Sequence, residues 1–464
     1  MVAPTHARKL MADPIDYQTA SAGGLAKALA ARQVSALELF DVAVATIEAK
    51  DGAINAVVVR DFDRARDAAK AADAAIARGE SGSLLGVPMT VKESNHIIGL
   101  PTTWGHGPFK GWMPGFEGPP VTRFRAAGAV ILGKTNVPPW LGDWQSDNPI
   151  YGRTNNPHDL TRSPGGSSGG GAAALAAGMV PLECGSDIGG SIRVPAHLCG
   201  VFGHKPTIKL VPAGGHAPPP LTESGPPQDL SVVGPLARSA EDLELAMSII
   251  AGPAGDDAKA YRLALPAPRH ARLGDYRALV LTDHPLCETD DEVKAVVLAA
   301  AELMRQAGAE VDYASDLLPD LAQAHANYQS MLMTSMSRGR PGAQPINAHA
   351  WMDLLVAQHS LRRRWTELFE SYDVVLAPPF GVAAFPHDDT DDWSKRRLTI
   401  NGHETLYGQQ TGWPGVATYP GLPATVAPLG KTASGLPVGV QIIGPFLEDL
   451  TPIAVAGLLA REML

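Results

Sequence analysis

Lys92, Ser167 and Ser191 are the residues of this sequence whose types and surroundings are best suited to chemistry. They stand in the segments GVPMTVKES, SPGGSSGG and GSDIGGSIR. A serine hydroxyl is a weak nucleophile at neutral pH and needs a base that takes its proton. A lysine amine can be that base when burial lowers its pKa enough to keep it neutral. The three segments together predict a hydrolase that activates a serine without a histidine.

Lys92 directly follows the apolar run Pro88–Val91, which predicts a strand that carries the lysine stem through the core. The simplest alternative is a lysine on the surface at the end of a strand. The next residue, Glu93, is also consistent with an ordinary charge pair. Taken alone, Lys92 leaves these interpretations open.

Glycines flank both serines. Ile188-Gly189-Gly190 precede Ser191, and successive glycines let backbone N–H groups converge on one point, as an oxyanion hole requires. A glycine turn capped by a serine is the alternative. Ser167 lies between two glycine pairs, where an Ala- and Gly-rich run predicts a tightly packed helix over residues 168–178. Taken alone, Ser167 is best interpreted as the N-cap of that helix.

Two further patterns match known motifs but lack the context that those motifs need. Gly128–Thr135 fits the phosphate-binding pattern GxxxxGK[ST]. Its intervening AVIL is strand-like and two prolines follow closely, so we expect no nucleotide site. Gly165–Gly169 fits the nucleophile-elbow pattern GxSxG. The residues before it are too polar for a buried strand, but histidines downstream keep a Ser167 nucleophile open as an alternative.

Helices and short apolar strands alternate along the chain. Ser35 and Glu38 form a capping-box pattern that predicts a helix to about Lys50, where Asp51-Gly52 should end it. Other helices are predicted over residues 64–78, 289–306 and 318–370, and the proline-rich residues 211–228 are predicted to be an extended surface loop. The predicted strands are Pro88–Val91, Val130–Leu132, Leu279–Leu281, Ala309–Tyr313, Val374–Ala377, Ala424–Ala427 and Val438–Ile443. This alternation predicts an α/β fold.

Composition favours a globular, cytoplasmic protein. Apolar residues make up 45% and charged residues 19% of the 464 residues, which is enough for a large core. The net charge of −10 argues against nonspecific binding of nucleic acid. Three cysteines without a CxxC pair predict neither a disulfide framework nor a thiolate zinc site. The first residues lack a signal-peptide core and no long apolar run is present, so we expect no membrane span.

The combination of segments resembles the amidase signature family from about residue 15 to the end of the chain. Between residues 165 and 207 the matching pattern is GGSSGG, an Ala- and Gly-rich helix, GSDIGGSIRVPA and CGVFGHKPT. Upstream, GVPMTVKES and GAVILGKTNVPPW resemble the family's lysine strand and the βα unit that follows it. Downstream, YPGLPATVAPLG and GLPVGVQIIGPFLED match its C-terminal pattern.

The resemblance implies a single large domain over residues 15–464, after an N-terminal extension over residues 1–14. This domain would have a central mixed β-sheet flanked on both faces by helices, with a signature core at about 85–207. Residues at about 318–370 would form a variable helical region on the substrate side. The resemblance implies no metal and no organic cofactor, and we expect a monomer or a homodimer.

The family's catalytic roles can be carried over to the matching positions. Ser191 would be the nucleophile, and the main chain of Ile188, Gly189 and Gly190 would supply the oxyanion hole. The residues that the resemblance implies as supports of this site are Gly166, Ser168, Ser186, Asp187 and Arg193.

The same resemblance implies a route for the proton. Ser167 would be a bridging serine, reached through a cis peptide bond after Gly166. Lys92 would be the base, and it would take the proton of Ser191 through Ser167. This arrangement would need no histidine and no metal ion.

The resemblance also indicates a substrate class. KES followed by GLPTTWG resembles members that cleave nylon-type oligomers and synthetic amides or carbamates. It is less similar to the glutamine-hydrolysing component of tRNA-dependent amidotransferases. We expect hydrolysis of linear amides through an acyl-enzyme on Ser191, with carbamates and esters as further substrates. The alternatives are an esterase with Ser167 as nucleophile and that glutamine-hydrolysing amidotransferase subunit.

A hydrophobic small-molecule substrate is the further expectation, because aromatic residues lie in or near the motif segments and could form an apolar pocket. Core packing is the alternative for each of them. These residues are Trp104, Trp140, Trp144, Tyr151 and Trp413.

Overall fold

The computed structural model describes residues 16–221, 229–337 and 342–463. Its α-helices are α1 (Ala22–Ala30), α2 (Ala36–Ile54), α3 (Phe62–Ala77), α4 (Pro119–Ala126), α5 (Gly169–Ala176), α6 (Arg193–Cys199), α7 (Ala240–Ile250), α8 (Asp257–Ala260), α9 (Asp291–Gln306), α10 (Leu321–Ser337), α11 (Ala348–Ser371), α12 (Gly412–Thr418) and α13 (Leu450–Met463). Short 3-10 helices cover Gly107–Phe109, Pro139–Leu141, Leu273–Asp275 and Tyr407–Thr411.

The strands are β1 (Val57–Arg60), β2 (Pro88–Lys92), β3 (Val130–Thr135), β4 (Asp147–Asn148), β5 (Gly152–Arg153), β6 (Leu182–Asp187), β7 (Phe202–Lys205), β8 (Val232–Ala237), β9 (Arg277–Val280), β10 (Glu310–Asp312), β11 (Val374–Ala377), β12 (Arg397–Ile400), β13 (His403–Leu406), β14 (Ala424–Lys431) and β15 (Pro437–Ile443). Eleven of them form one sheet in the order β1-β3-β2-β6-β8-β7-β14-β15-β11-β9-β10. β4 pairs with β5 and β12 with β13 in two small hairpin sheets.

The large sheet is mixed and covered on both faces. β2 runs parallel to β3 and β6, and β9 runs parallel to β10 and β11, whereas the other neighbours are antiparallel. Every residue of β2, β3, β6, β7, β8, β11 and β15 is buried. Because successive side chains of a strand point to opposite faces, helices must cover both sides. The predicted α/β fold with a central mixed sheet is confirmed.

Helix α2 corrects one sequence prediction. Its N-terminus is the expected capping box of Ser35 and Glu38. The helix does not end at Asp51-Gly52, however, but continues to Ile54 and ends at Asn55, which has a left-handed conformation with φ 60°. Asp51 stays inside the helix because its buried carboxylate accepts the amide of Ala56 at 2.6 Å and contacts the guanidinium of Arg60. The carboxylate therefore holds the start of β1 against the helix.

Two other segments differ from the sequence predictions. Residues 57–60, which lie between two predicted helices and were not predicted to be a strand, form the edge strand β1. In the proline-rich segment, His216 and Ala217 are buried rather than on the surface, because the backbone of Gly215 and Ala217 accepts hydrogen bonds from His96. Residues 222–228 of that segment, and the predicted extension over residues 1–14, lie outside the described residues.

The structure also shows whether the GxxxxGK[ST] and GxSxG patterns have the surroundings that their motifs require. β3 continues through Lys134 and Thr135 as a strand, and the Lys134 ammonium donates to the hydroxyl of Thr102 at 2.8 Å. No helix begins at this lysine, so the phosphate-loop geometry is not formed. Residues 157–166, which precede the GxSxG serine, contain no strand longer than an isolated bridge.

Candidate active site

Strands β2 and β6 position the first half of the site. They are parallel neighbours, with Val91 opposite Cys184, so their carboxyl ends lie at the same edge of the sheet. Lys92 is the last residue of β2, and Ser186 and Asp187 are the last two residues of β6. The lysine and the polar end of β6 are therefore brought side by side inside the core.

The Lys92 ammonium group is fully buried and is held by two serine hydroxyls. Its Nζ atom donates to Ser167 Oγ at 2.7 Å and to Ser186 Oγ at 2.9 Å. Burial lowers the pKa of Lys92 to about 7, although the carboxylates of Asp187 and Glu183 act to raise it. At neutral pH a large fraction of this amine is neutral, so it can accept a proton.

The serine doublet lies at the start of α5. The peptide bond between Gly166 and Ser167 is cis, as the resemblance implies. Ser168, and not Ser167, is the N-cap of α5, and its hydroxyl does not cap the helix. Instead Ser168 Oγ donates to the carbonyl of Ser186 at 3.2 Å. The doublet is thereby fixed to the end of β6.

Ser191 lies beside this doublet. The backbone amide of Ser168 donates to the carbonyl of Ser191 at 3.1 Å, and the Ser191 residue is only 5% exposed. Within the described ranges, no hydrogen bond joins the hydroxyls of Ser167 and Ser191. The structure therefore connects Lys92 directly to Ser167, and Ser167 to Ser191 through the neighbouring backbone.

The loop from Ile188 to Gly190 is anchored by its carbonyl groups. The hydroxyl of Tyr328 donates to the carbonyl of Ile188 at 2.9 Å. The indole Nε1 of Trp144 donates to the carbonyl of Gly189 at 2.9 Å. Across the residues that the structure describes, the amides of Ile188 and Gly189 donate to no acceptor. Two N–H groups of the expected oxyanion hole are thus free.

Gly190 departs from the expectation. Its amide donates to the carboxylate of Asp187 at 2.9 Å, so this N–H is not available to a substrate oxygen. The physical reason is the tight turn: Gly190 has φ 92°, and a Cβ at this position would lie 2.7 Å from atoms of Pro414 and Val194. Gly190 is therefore needed for the shape of the loop rather than as a donor.

A buried ion pair supports the turn. The guanidinium of Arg193 contacts the carboxylate of Asp187 at 2.9 Å, and both side chains are fully buried. Burial alone would raise the pKa of Asp187, but the charge and hydrogen bonds of Arg193 and the amide of Ile192 lower it to about 2. Arg193 also donates to the side chains of Thr418 and Gln441, at 2.7 and 2.6 Å. Asp187 and Arg193 therefore hold the loop through contacts within it and with distant segments.

Glu183 is a buried carboxyl group near this site that was not expected from the sequence. It lies on β6 and accepts the hydroxyl of Thr135 at 2.6 Å. Burial raises the pKa of Glu183 to about 7, against the opposing effects of Thr135 and the Lys92 charge. A Cβ at Gly171 would lie 2.5 Å from Glu183 Cγ, so helix α5 needs a glycine to pass over this side chain.

The five aromatic residues do not form one pocket. Trp104 and Trp140 belong to one small cluster, Trp144 to a second and Trp413 to a third. Tyr151 donates its hydroxyl to the buried carboxylate of Glu93. Most of these side chains therefore pack in the core, and Trp144 additionally anchors the loop before Ser191.

Other possible binding features lie away from the site. A cavity of about 620 Å³ beside α11 is lined by residues that include Lys209, Asp229, Arg362 and Phe446, but by none of the site residues. In the described ranges no three His, Cys, Asp or Glu side chains are grouped to hold a metal ion. None of the described helices is long and apolar enough to cross a membrane.

Comparison with known proteins supports the same interpretation of the motifs. The family model described as Amidase matches residues 38–341 and 342–451. This chain belongs to the amidase family. As an amidase-family protein it is a hydrolase of the class that acts on amide bonds.

Individual relatives of this amidase-family chain differ in function. It is 34% identical to AmiB2 of Mycobacterium bovis, which is described as a candidate amidase, over 96% of each chain. It is 33% identical to one component of the glutamyl-tRNA(Gln) amidotransferase of Anaeromyxobacter dehalogenans, over 94% of each chain. The solved structure of a bacterial aryl acylamidase matches with a TM-score of 0.79 and 27% identity, over 96% of each chain. These nearly equal identities do not separate amidases from amidotransferase components.

Two groups that shape the site were not found from the sequence. Tyr328 lies in a helix predicted only as substrate-side, about 140 positions from the loop that it contacts. Glu183 lies in a strand that was not predicted from the sequence. Neither position carries a local pattern that could have indicated its partner, because both contacts are made by the tertiary fold.

Proposed function

We propose that this chain is a serine hydrolase that cleaves linear amides through an acyl-enzyme on Ser191, with carbamates and esters as further substrates. The observation that carries this proposal is the buried Lys92 amine, 2.7 Å from Ser167 Oγ. A neutral lysine in this position can accept a serine proton. Ser191 follows two free backbone amides, which suit a developing oxyanion.

The reaction begins with transfer of two protons. Ser191 Oγ attacks the substrate carbonyl carbon while its proton passes to Ser167 Oγ, whose own proton passes to Lys92 Nζ. The substrate or a small rotation of Ser191 must first bring the two hydroxyls within hydrogen-bond distance. The carbonyl oxygen becomes an oxyanion and accepts the amides of Ile188 and Gly189.

Collapse of the tetrahedral intermediate breaks the C–N bond. The Lys92 ammonium returns a proton through Ser167 to the leaving nitrogen, which departs as a neutral amine. Water then attacks the acyl-enzyme, gives its proton to the same relay, and releases the carboxylic acid and the Ser191 hydroxyl. An N-aryl carbamate could instead lose its alcohol and keep its C–N bond, which would give a carbamoyl-enzyme. Hydrolysis of the carbamoyl-enzyme would release a carbamic acid, and this acid would split into an amine and carbon dioxide.

Ser167 as nucleophile is a second candidate, because Ser167 and not Ser191 contacts Lys92 directly. Mass spectrometry separates the two serines. A p-nitrophenyl ester that deacylates slowly is mixed with the enzyme, the reaction is quenched with acid, and the acylated peptide is sequenced. We expect the acyl group on Ser191. An acyl group on Ser167 would replace the proposed mechanism with the esterase alternative.

Rates on a matched aryl amide, ester and carbamate test the reaction itself. The wild type should turn over the amide, and Ser191→Ala should lose turnover of all three substrates. Activity that survives in Ser191→Ala would overturn the proposal. The ranking of the three substrates in the wild type would place the enzyme among amidases, esterases or urethanases.

An amidotransferase subunit would behave differently in the same assays. It would hydrolyse glutamine only with its partner chain and would act weakly on bulky amides. We expect the isolated chain to cleave aryl amides faster than glutamine. A hydrophobic substrate, a role of residues 318–370 on the substrate side, a monomeric or homodimeric state and a cytoplasmic location remain predictions from the sequence.

A further inference from the structure

Tyr328 connects the helical region at 318–370 to the loop before Ser191. It lies on α10, is fully buried, and donates its hydroxyl to the carbonyl of Ile188 at 2.9 Å. The same hydroxyl would lie 3.4 Å from a Cβ at Gly189. The contact thus falls on the peptide group that joins Ile188 to Gly189.

Because this peptide group is planar, the contact between Tyr328 and the carbonyl of Ile188 also fixes the direction of the Gly189 N–H. In a trans peptide the C=O and the following N–H point in opposite directions. Because Tyr328 binds the carbonyl of Ile188, the amide of Gly189 must point away from α10. That amide donates to no acceptor among the described residues, and it stands two positions before Ser191.

The next peptide group, between Gly189 and Gly190, has both its carbonyl and its amide bound by the protein. Trp144 binds the carbonyl of Gly189 at 2.9 Å, and the amide on the other side of that peptide donates to Asp187 at 2.9 Å. This second peptide group is therefore fixed at both ends by the protein. The peptide group held by Tyr328 is fixed at one end only, and its free end is a donor.

We propose that Tyr328 is a positioning residue that aims the Gly189 amide at the oxyanion of the reaction. The inference rests on the proposed function, because it assumes attack by Ser191. It assigns to helix α10 a direct part in transition-state stabilisation. A donor that is aimed before the reaction begins stabilises the developing charge without a further cost of reorganisation.

The surroundings of Tyr328 allow it to do this. Its ring packs on Gly415, where a Cβ would lie 2.7 Å from Tyr328 Cδ1, so a side chain at position 415 would displace the ring. Burial holds the pKa of Tyr328 well above its usual value, and the hydroxyl therefore remains a neutral donor across the working pH range.

Tyr419 packs in the same hydrophobic cluster as Tyr328 and offers a matched control. Its hydroxyl also donates to a backbone carbonyl, that of Leu354, at 2.8 Å. Its ring lies 6.5 Å from the ring of Tyr328, and it is 1% exposed. Tyr328→Phe and Tyr419→Phe therefore each remove one partly buried hydroxyl-to-carbonyl hydrogen bond, but only the first removes it from the loop.

The experiment compares kcat, KM and Tm for the two variants and the wild type on an aryl amide. We expect Tyr328→Phe to lower kcat about 10- to 100-fold with little change in KM, somewhat less than the loss of an oxyanion donor itself. Tyr419→Phe should keep kcat within about 2-fold, although it too loses one hydroxyl-to-carbonyl hydrogen bond.

A tetrahedral inhibitor provides a second measurement. An aryl boronic acid that bonds to the nucleophile should bind Tyr328→Phe more weakly by a factor similar to the loss in kcat, whereas an unreactive product amine should bind equally. Equal kcat in the two variants, or a change in KM alone, would overturn the role of Tyr328. If Ser191→Ala stays active, the proposed function fails instead, so the two failures are distinguishable.

Discussion

The Nζ atom of Lys92 lies 2.7 Å from the Oγ atom of Ser167 in a fully buried position. A buried ammonium is costly unless it is neutralised or surrounded by acceptors. Here Ser167 and Ser186 supply hydroxyls, and the pKa of the amine falls to about 7 because of its burial. An amine that is partly neutral near pH 7 and 2.7 Å from a serine hydroxyl is suited to accept the proton of that hydroxyl.

Lys92→Met keeps the length and apolar stem of the side chain but removes the amine. We expect kcat/KM on an aryl amide to fall about 10²- to 10⁴-fold, the range for loss of a general base. The Tm should hold or rise, since an apolar group replaces a buried polar one. Retention of more than about a tenth of the activity would mean that Lys92 is not the base.

The activity of the wild type should depend on pH through this amine. The base is neutral above its pKa, so kcat/KM should rise with pH up to about 7 and level off above it. Below the pKa it should fall about tenfold for each pH unit. A profile measured from pH 5 to 9 in buffers of constant ionic strength checks this; a flat profile across pH 6 to 8 would contradict it.

Glu183→Gln should move that profile. The Glu183 carboxylate, which is ionised near pH 7 and above, raises the pKa of Lys92, so its loss should shift the upper part of the acidic limb of kcat/KM to lower pH. Glu93→Gln is the control, because Glu93 is equally buried and adjacent in sequence, but its carboxylate is paired electrostatically with Lys134. The control should leave the limb in place. Equal shifts in both variants would point to a general effect of buried charge.

Ser186 is the second hydroxyl acceptor of the Lys92 amine. Ser186→Thr keeps the hydroxyl that lies 2.9 Å from Lys92 Nζ and should retain most of the activity. Ser186→Ala removes it, and we expect kcat to fall about 10-fold, the equivalent of one hydrogen bond to a charged group. If alanine and threonine gave the same kcat, the hydroxyl would have no role in holding the amine.

Asp187→Asn should affect stability as well as activity. It breaks a fully buried ion pair with Arg193 and leaves an uncompensated charge, which typically costs about 3–5 kcal/mol. The control is Glu241→Gln, which breaks the ion pair with Arg461. The Glu241 side chain is 64% exposed and the Arg461 side chain 59% exposed, and exposed pairs of this kind contribute about 0–1 kcal/mol. Denaturant unfolding measures both. A small loss for Asp187→Asn would show that the loop is held by other contacts.

The sequence predicted the apolar strands of the sheet better than the polar strand β6, which carries part of the candidate site. Val374–Ala377 was predicted with the bounds observed, because its four apolar residues are typical of a buried strand. β6 was not predicted. Its residues are Leu-Glu-Cys-Gly-Ser-Asp, and the three polar side chains interrupt the apolar pattern because they surround Lys92 or support the loop.

The candidate site residues lie in motifs that the sequence shows, whereas the contacts of other side chains with this site leave no such pattern. The glycine pairs around Ser167 and Ser191 mark a tight loop in any sequence. The partner of a backbone carbonyl leaves no such mark, and so the contact of Tyr328 with Ile188 was missed. Likewise, the sequence could not indicate that the Gly190 amide is occupied by Asp187.

Arg193 lies two positions after Ser191, yet its hydrogen-bond partners other than Asp187 are separated from it by 221 to 248 residues along the chain. The strand β7 that follows the loop pairs in the same way with β14. During synthesis, the segment around Ser191 therefore leaves the ribosome long before the residues that shape it. A nascent chain would carry Ser191 without the contacts that shape its loop, and those contacts would form only after β15 has been added to the sheet.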